Sequence, residues 1–123
     1  MEEKRIHRRV SLVVKVTNRS TKEFHYFYSR DISMGGIFLD TRQPYSVGTE
    51  VELDFFVPFA DKKQRVSASG KVIRVVEIKE AEKEKTVPGM GIKFNDLPSE
   101  VLGVLSRYVR EKLPEESDEQ ENI

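Results

Sequence analysis

Apolar residues in this chain recur at every second position through several short runs, a spacing that puts them on one face of a β-strand but on no single face of a helix. Val10, Leu12, Val14 and Val16 alternate with Ser11, Val13, Lys15 and Thr17. Val51, Leu53, Phe55 and Val57 alternate with Glu52, Asp54 and Phe56, and Val66, Ala68, Gly70 and Val72 with Ser67, Ser69 and Lys71. Phe24–Arg30, rich in aromatics, and Gly36–Thr41 are two further strands. Val87–Phe94 is another, its glycines marking a bulge or a close backbone approach. In the long run Gln64–Ile78 the inward parity changes near Gly70–Val76, which predicts a bulge of the kind barrel closure requires.

Turn residues separate the runs: Asn18–Thr21 as a hairpin loop, Pro44–Gly48 as a turn, and Pro58–Lys63 as a polar connection. Glu77–Thr86 carries both charges densely and reads as an exposed hairpin loop or a short helix. One segment has clear helical spacing. In Leu97–Leu113 the residues Val101, Leu102, Leu105, Tyr108, Val109 and Leu113 share a face. Pro98 suits its first turn, Asp96 or Ser99 can cap it, Arg110 and Lys112 suit its last turn, and Pro114 is expected to stop it. Six short strands followed by one amphipathic helix predict a mainly β fold, a small six-stranded antiparallel barrel with one C-terminal helix against it.

At 123 residues the chain fits one domain. It has no cysteine, which excludes disulfides and thiolate metal sites, and no run as apolar as a membrane span, so a cytoplasmic protein without membrane insertion is expected. The net charge of zero conceals an asymmetry. Residues 114–123 hold five acids and no Lys or Arg, so 16 acids stand against 21 bases in residues 1–113, a net of +5. The expected organisation is a flexible arm (1–9), a barrel with its helix (10–113) and an acidic disordered tail (114–123). An anionic ligand suits the basic part. Catalysis is not expected: the two histidines, His7 and His25, belong to no nucleophilic set, there is no phosphate-binding loop, and His25 reads as structural.

Two stretches carry the functional signal. Lys4-Arg5-Ile6-His7-Arg8-Arg9 stands directly before the first strand. A guanidinium bonds phosphate bidentately, bonds O6 and N7 of guanine, and stacks on purine faces. Arg30-Asp31-Ile32-Ser33-Met34-Gly35-Gly36 lies between two strands. An Asp carboxylate accepts from the N1–H and N2–H edge of guanine, a Ser hydroxyl can donate to phosphate or base, and Gly35 and Gly36 offer positive φ and close approach to an anion. Each stretch alone also has an ordinary reading, as a solvated basic arm and as a turn closing a hairpin.

Together the two resemble the paired signature of the PilZ domain family, R-x-x-x-R followed about 20 residues later by [DN]-x-S-x-x-G; Arg5 to Arg9 and Asp31 to Gly36 satisfy it without substitution. The resemblance extends to Gly70-Lys71-Val72 and to Gly89-Met90-Gly91-Ile92-Lys93-Phe94. It implies a six-stranded barrel with a C-terminal helix and a receptor for cyclic di-GMP, with no other cofactor. Arg5 and Arg9 would meet phosphates and guanines; Asp31 and Ser33 would meet a guanine and its adjoining backbone. Gly36 would shape the loop, and Arg8 and Gly35 are secondary candidates. A downstream protein partner in motility, biofilm or surface control is implied. The alternatives are a protein-interacting adaptor of the same family that does not use the nucleotide, and a small-barrel single-stranded nucleic-acid binder, in which Tyr26, Phe27 and Tyr28 would stack bases.

Overall fold

A computed structural model describes residues 12–59 and 61–121. Six strands, β1 (Val13–Asn18), β2 (Phe24–Ile32), β3 (Gly36–Asp40), β4 (Glu50–Phe59), β5 (Lys62–Val76) and β6 (Gly89–Phe94), close into an antiparallel barrel in the order β1-β2-β3-β6-β5-β4. Two helices accompany them, α1 (Ile78–Glu84) and α2 (Ser99–Glu121). The expected barrel is therefore present, with one helix more than expected.

The alternation in the sequence is the alternation of burial. Val14 and Val16 point inward from β1, Val51, Leu53, Phe55 and Val57 from β4, and Val66, Ala68 and Val72 from β5; all are buried in one cluster with Leu39, Met90, Ile92, Leu105 and Tyr108. Each fully buried Val, Leu or Phe side chain contributes about 1.5–3 kcal/mol, so this cluster is what closes the barrel. The anticipated change of parity in β5 is a register shift against β6 between Val72 and Arg74. Strand pairing also takes in more of the Pro58–Lys63 connection than expected, since Pro58 pairs with Lys63 and Phe59 with Lys62. In the Asn18 turn the side-chain Oδ1 accepts from the N–H groups of Ser20 and Thr21, at 2.8 and 3.3 Å.

The charged segment after β5 resolves as α1. Its chain leaves the helix through Lys85 in the left-handed conformation, φ 58°, with the Lys85 N–H turned back to the Ala81 and Glu82 carbonyls. Helix α2 corrects a second expectation, because it continues past Pro114 to Glu121 rather than stopping at Leu113. Glu115, Glu116, Glu119 and Gln120 are strong helix formers, and they favour helix beyond the one bond that Pro114 cannot make. Arg110 and Lys112 consequently lie in mid-helix, and the last turn holds no basic residue. Among the described residues no helix is long and apolar enough to cross a membrane.

Candidate functional site

The turn between β2 and β3 is a two-residue hairpin loop: the Ser33 N–H donates to the Gly36 carbonyl at 2.9 Å, with Met34 and Gly35 at the corner. The Ser33 hydroxyl accepts from the Gly35 N–H at 3.2 Å and so braces the same turn. The Gly35 carbonyl accepts from the Phe94 N–H at 2.9 Å, which ties the turn to the end of β6.

Neither turn glycine uses positive φ, contrary to expectation; among the described glycines only Gly48 does, at 98°. Gly36 is required for a different reason. A Cβ on it would stand 2.3 Å from the Ile92 carbonyl oxygen and 3.3 Å from the Lys93 Cα, both backbone atoms of the neighbouring strand. Around a Cβ on Gly35 there is no atom within 4 Å. Of the two, Gly36 is fixed by packing and Gly35 is not.

Just before the turn, β2 slips register: Ser29 pairs with Leu39 but Asp31 with Phe38, so Arg30 is an extra residue on that strand. The bulge turns Asp31 to the outer face opposite Phe38, and its carboxylate is exposed. Arg30 is held where it bulges. Its Nε reaches Asp40 at 3.0 Å, its Nη1 the Thr86 hydroxyl at 3.0 Å and its Nη2 the Val87 carbonyl at 2.5 Å, while its guanidinium lies 4.3 Å from the Phe38 ring centroid. Helix α1 sets the position of Thr86 and Val87, so the segment left open in the sequence supports the site from behind.

Asp31, Ser33, Gly35 and Gly36 line an open cleft of about 440 Å³ with Phe38, Ile73, Arg74, Gly91 and Lys93. The last five were missed in the sequence because they come from β3, β5 and β6, and only cross-strand register brings them to Asp31. A signal existed in Gly89-Met90-Gly91: a Cβ on Gly89 would collide with the Phe38 ring, and one on Gly91 would touch it at 3.6 Å. The glycines of that strand make room for an aromatic ring. The cleft is lined by one carboxylate, Asp31, and two cations, Arg74 and Lys93. That arrangement suits a ligand with both hydrogen-bond donors and negative charge.

Arg5, Arg8 and Arg9 lie outside the described residues. The described chain begins at Leu12, whose N–H donates to the buried Ser29 Oγ at 2.9 Å, and the Ser29 N–H donates to the Leu12 carbonyl at 2.9 Å. Ser29→Ala is expected to cost about 1–2 kcal/mol, the penalty for a buried donor left without its acceptor. Faster amide exchange at Leu12, together with a lowered denaturation midpoint, is the measurement that checks it.

Other singled-out residues lie elsewhere. His25 Nδ1 shares a hydrogen bond with the Tyr45 hydroxyl at 3.1 Å, and its ring packs near Phe27 and Tyr45, a structural position. Phe24, Tyr26 and Tyr28 are exposed, but Phe27 turns the opposite way onto Tyr45, so the three consecutive aromatics do not form one stacking surface. Burial raises the Tyr45 phenol, helped by the Glu23 charge, and burial alone raises Tyr108. Burial would raise Asp54 too, but hydrogen bonds from Ser67 and Arg65 and the Arg65 and Lys15 charges hold it below the usual carboxylate range. No group of three or more potential metal-ligating side chains exists among the described residues.

The family model of the PilZ domain matches residues 3–111. No curated protein matches the chain. Among solved structures, the inhibitor of motility MotI/DgrA from Bacillus subtilis superposes with a TM-score of 0.66 at 17% identity, over 85% of this chain and 48% of that one. The chain thus spans about half the length of that protein. The PilZ domain of YcgR from Escherichia coli, solved with c-di-GMP, gives 0.58 at 14% identity, over 91% and 89% of the two chains. The PilZ domain of CeSA from a cellulose-synthesizing bacterium gives 0.55 at 18%, over 80% and 88%. At such identities these likenesses speak for the fold.

Proposed function

This chain belongs to the PilZ domain family, and from that premise we propose that it is a receptor for cyclic di-GMP. One observation carries the reading. The Asp31–Gly36 turn forms the rim of a cleft lined by Arg74 and Lys93, and Leu12, three residues after Arg9, is bonded to Ser29 two residues before Asp31. The ligand offers two phosphates and two guanines. Arg5 and Arg9 take phosphate oxygens or guanine edges, with Arg8 an additional cation, and Asp31 accepts from the N1–H and N2–H edge of a guanine. Ser33 keeps an exposed hydroxyl for the adjoining backbone, while Gly36 holds the turn against β6.

Binding orders the arm over the barrel, and a protein partner reads the changed surface. The ordering cost is drawn from the ligand contacts, which makes the affinity moderate. Two of the similar proteins fit this reading, one described as an inhibitor of motility and one solved with c-di-GMP, so motility control is the process proposed. No catalytic step is assigned to the chain.

Calorimetric titration with cyclic di-GMP and with cyclic di-AMP tests the proposal. Adenine lacks the N2 donor and presents no N1–H to Asp31, so cyclic di-AMP is expected to bind at least about tenfold more weakly. Equal binding of the two, or no binding of cyclic di-GMP, would overturn it.

A further inference from the structure

The four strands that form the cleft floor are in a register that aligns one residue from each. Asp31 pairs with Phe38, Phe38 with Gly91, and Gly91 with Arg74, so a single row crosses β2, β3, β6 and β5. All four residues line the cleft. The two register shifts make the row possible: the slip at Ser29/Asp31 turns Asp31 outward at one end, and the slip at Val72/Arg74 does the same for Arg74 at the other. Without either bulge, one end of the row would carry the wrong residue.

The middle of the row is built flat. Phe38 is clamped behind by Arg30, whose guanidinium is 4.3 Å from the ring centroid, and Gly91 contributes no side chain beside it. A Cβ on Gly91 would already touch both Phe38 and Arg74 at 3.6 Å, so any longer side chain would fill the space between them. Arg74 leans towards this floor, with its guanidinium 5.9 Å from the Phe38 centroid, and among the described residues no carboxylate pairs with it. The row thus ends in a carboxylate and in an uncommitted guanidinium, with an open aromatic floor between.

We infer that Arg74 is a specificity-determining residue which reads the Hoogsteen edge of the same guanine whose Watson–Crick edge is read by Asp31. This rests on the proposal that the cleft binds cyclic di-GMP. Guanine suits the row because its two edges carry opposite patterns: N1–H and N2–H donate towards a carboxylate, and O6 and N7 accept a bidentate guanidinium. Three strand spacings separate the ends of the row by about 14 Å. A purine about 5 Å across with one hydrogen bond of about 2.9 Å at each side needs about 11 Å, which the lean of Arg74 brings within reach. Adenine fails at both ends, since its N6 amino group would face the guanidinium. A lysine at 74 keeps the charge but not the two parallel donors.

The probe that isolates this contact is cyclic di-GMP in which both guanines are 7-deazaguanine, a change that removes N7 and leaves the Watson–Crick edge intact. Wild-type protein is expected to bind cyclic di-GMP about tenfold more tightly than the 7-deaza analogue, the discrimination of one good bidentate contact. Arg74→Ala and Arg74→Lys are expected to bring that ratio close to one, whereas Asp31→Ala weakens both ligands and keeps the ratio. Arg74 is exposed, so its variants keep the fold, and their unchanged denaturation midpoints confirm it. If Arg74→Ala retains the wild-type ratio, or if Arg9→Ala abolishes it in place of Arg74→Ala, the assignment of Arg74 fails and the receptor reading stands. If the wild-type protein does not bind cyclic di-GMP, both fail.

Discussion

Arg9→Ala and Asp31→Ala are each expected to weaken cyclic di-GMP binding by roughly 1–3 kcal/mol, about five- to 150-fold, without changing the fold. The loss should be this large because both contacts are charge-assisted and, on the proposed geometry, bidentate. The Asp31 carboxylate faces two guanine donors; once it is gone, both face a methyl group in a cleft that still excludes part of the solvent. The fold should not respond, because Asp31 is exposed on the outer face of a bulge and contributes nothing to the core. Titration calorimetry of each variant, with its denaturation curve beside it, separates the two quantities. Wild-type affinity in both variants would remove these residues from the site. A lowered denaturation midpoint would instead show that the turn itself had been damaged.

The second large effect concerns stability and divides two adjacent glycines. Gly36→Ala is expected to lose about 2–3 kcal/mol, at the upper end of overpacking costs, whereas Gly35→Ala stays within a few tenths or gains slightly. The contrast follows from what each methyl group meets. At Gly36 it meets the Ile92 carbonyl and the Lys93 Cα, backbone that can yield only if β3 and β6 part. At Gly35 it meets open space on an ordinary backbone conformation, where alanine mainly restricts the unfolded chain. Because Gly36 joins the strands that carry Phe38 and Lys93, its replacement should also weaken ligand binding, and Gly35→Ala should leave it unchanged. Equal urea midpoints for the two variants would overturn the packing account.

These glycines show where sequence reading stops. Gly35-Gly36 was legible as a turn next to Asp31 and Ser33, and the turn is there. The reason for Gly36 was not legible, because positive φ is a local property that a sequence can suggest, while a carbonyl from another strand is not. The exposed β2 aromatics make a similar point. Tyr26, Phe27 and Tyr28 read as one stacking surface, yet the period of two sends Phe27 to the opposite face from its neighbours. Helix α2 is a third instance. Pro114 was expected to end it, and the helix formers beyond the proline continue it.

The order of the strands, the faces they bury and the pairing of the two motifs were written in the sequence, since alternation, turn residues and motif spacing are properties of neighbours along the chain. The barrel order, the two bulges and the row Asp31–Phe38–Gly91–Arg74 belong to the tertiary structure. Residues 31 and 74 lie on non-adjacent strands, and a slip of one residue in either pairing would send one of them to the wrong face. Register across strands is set by how the whole core packs, and no short stretch of this sequence contains it.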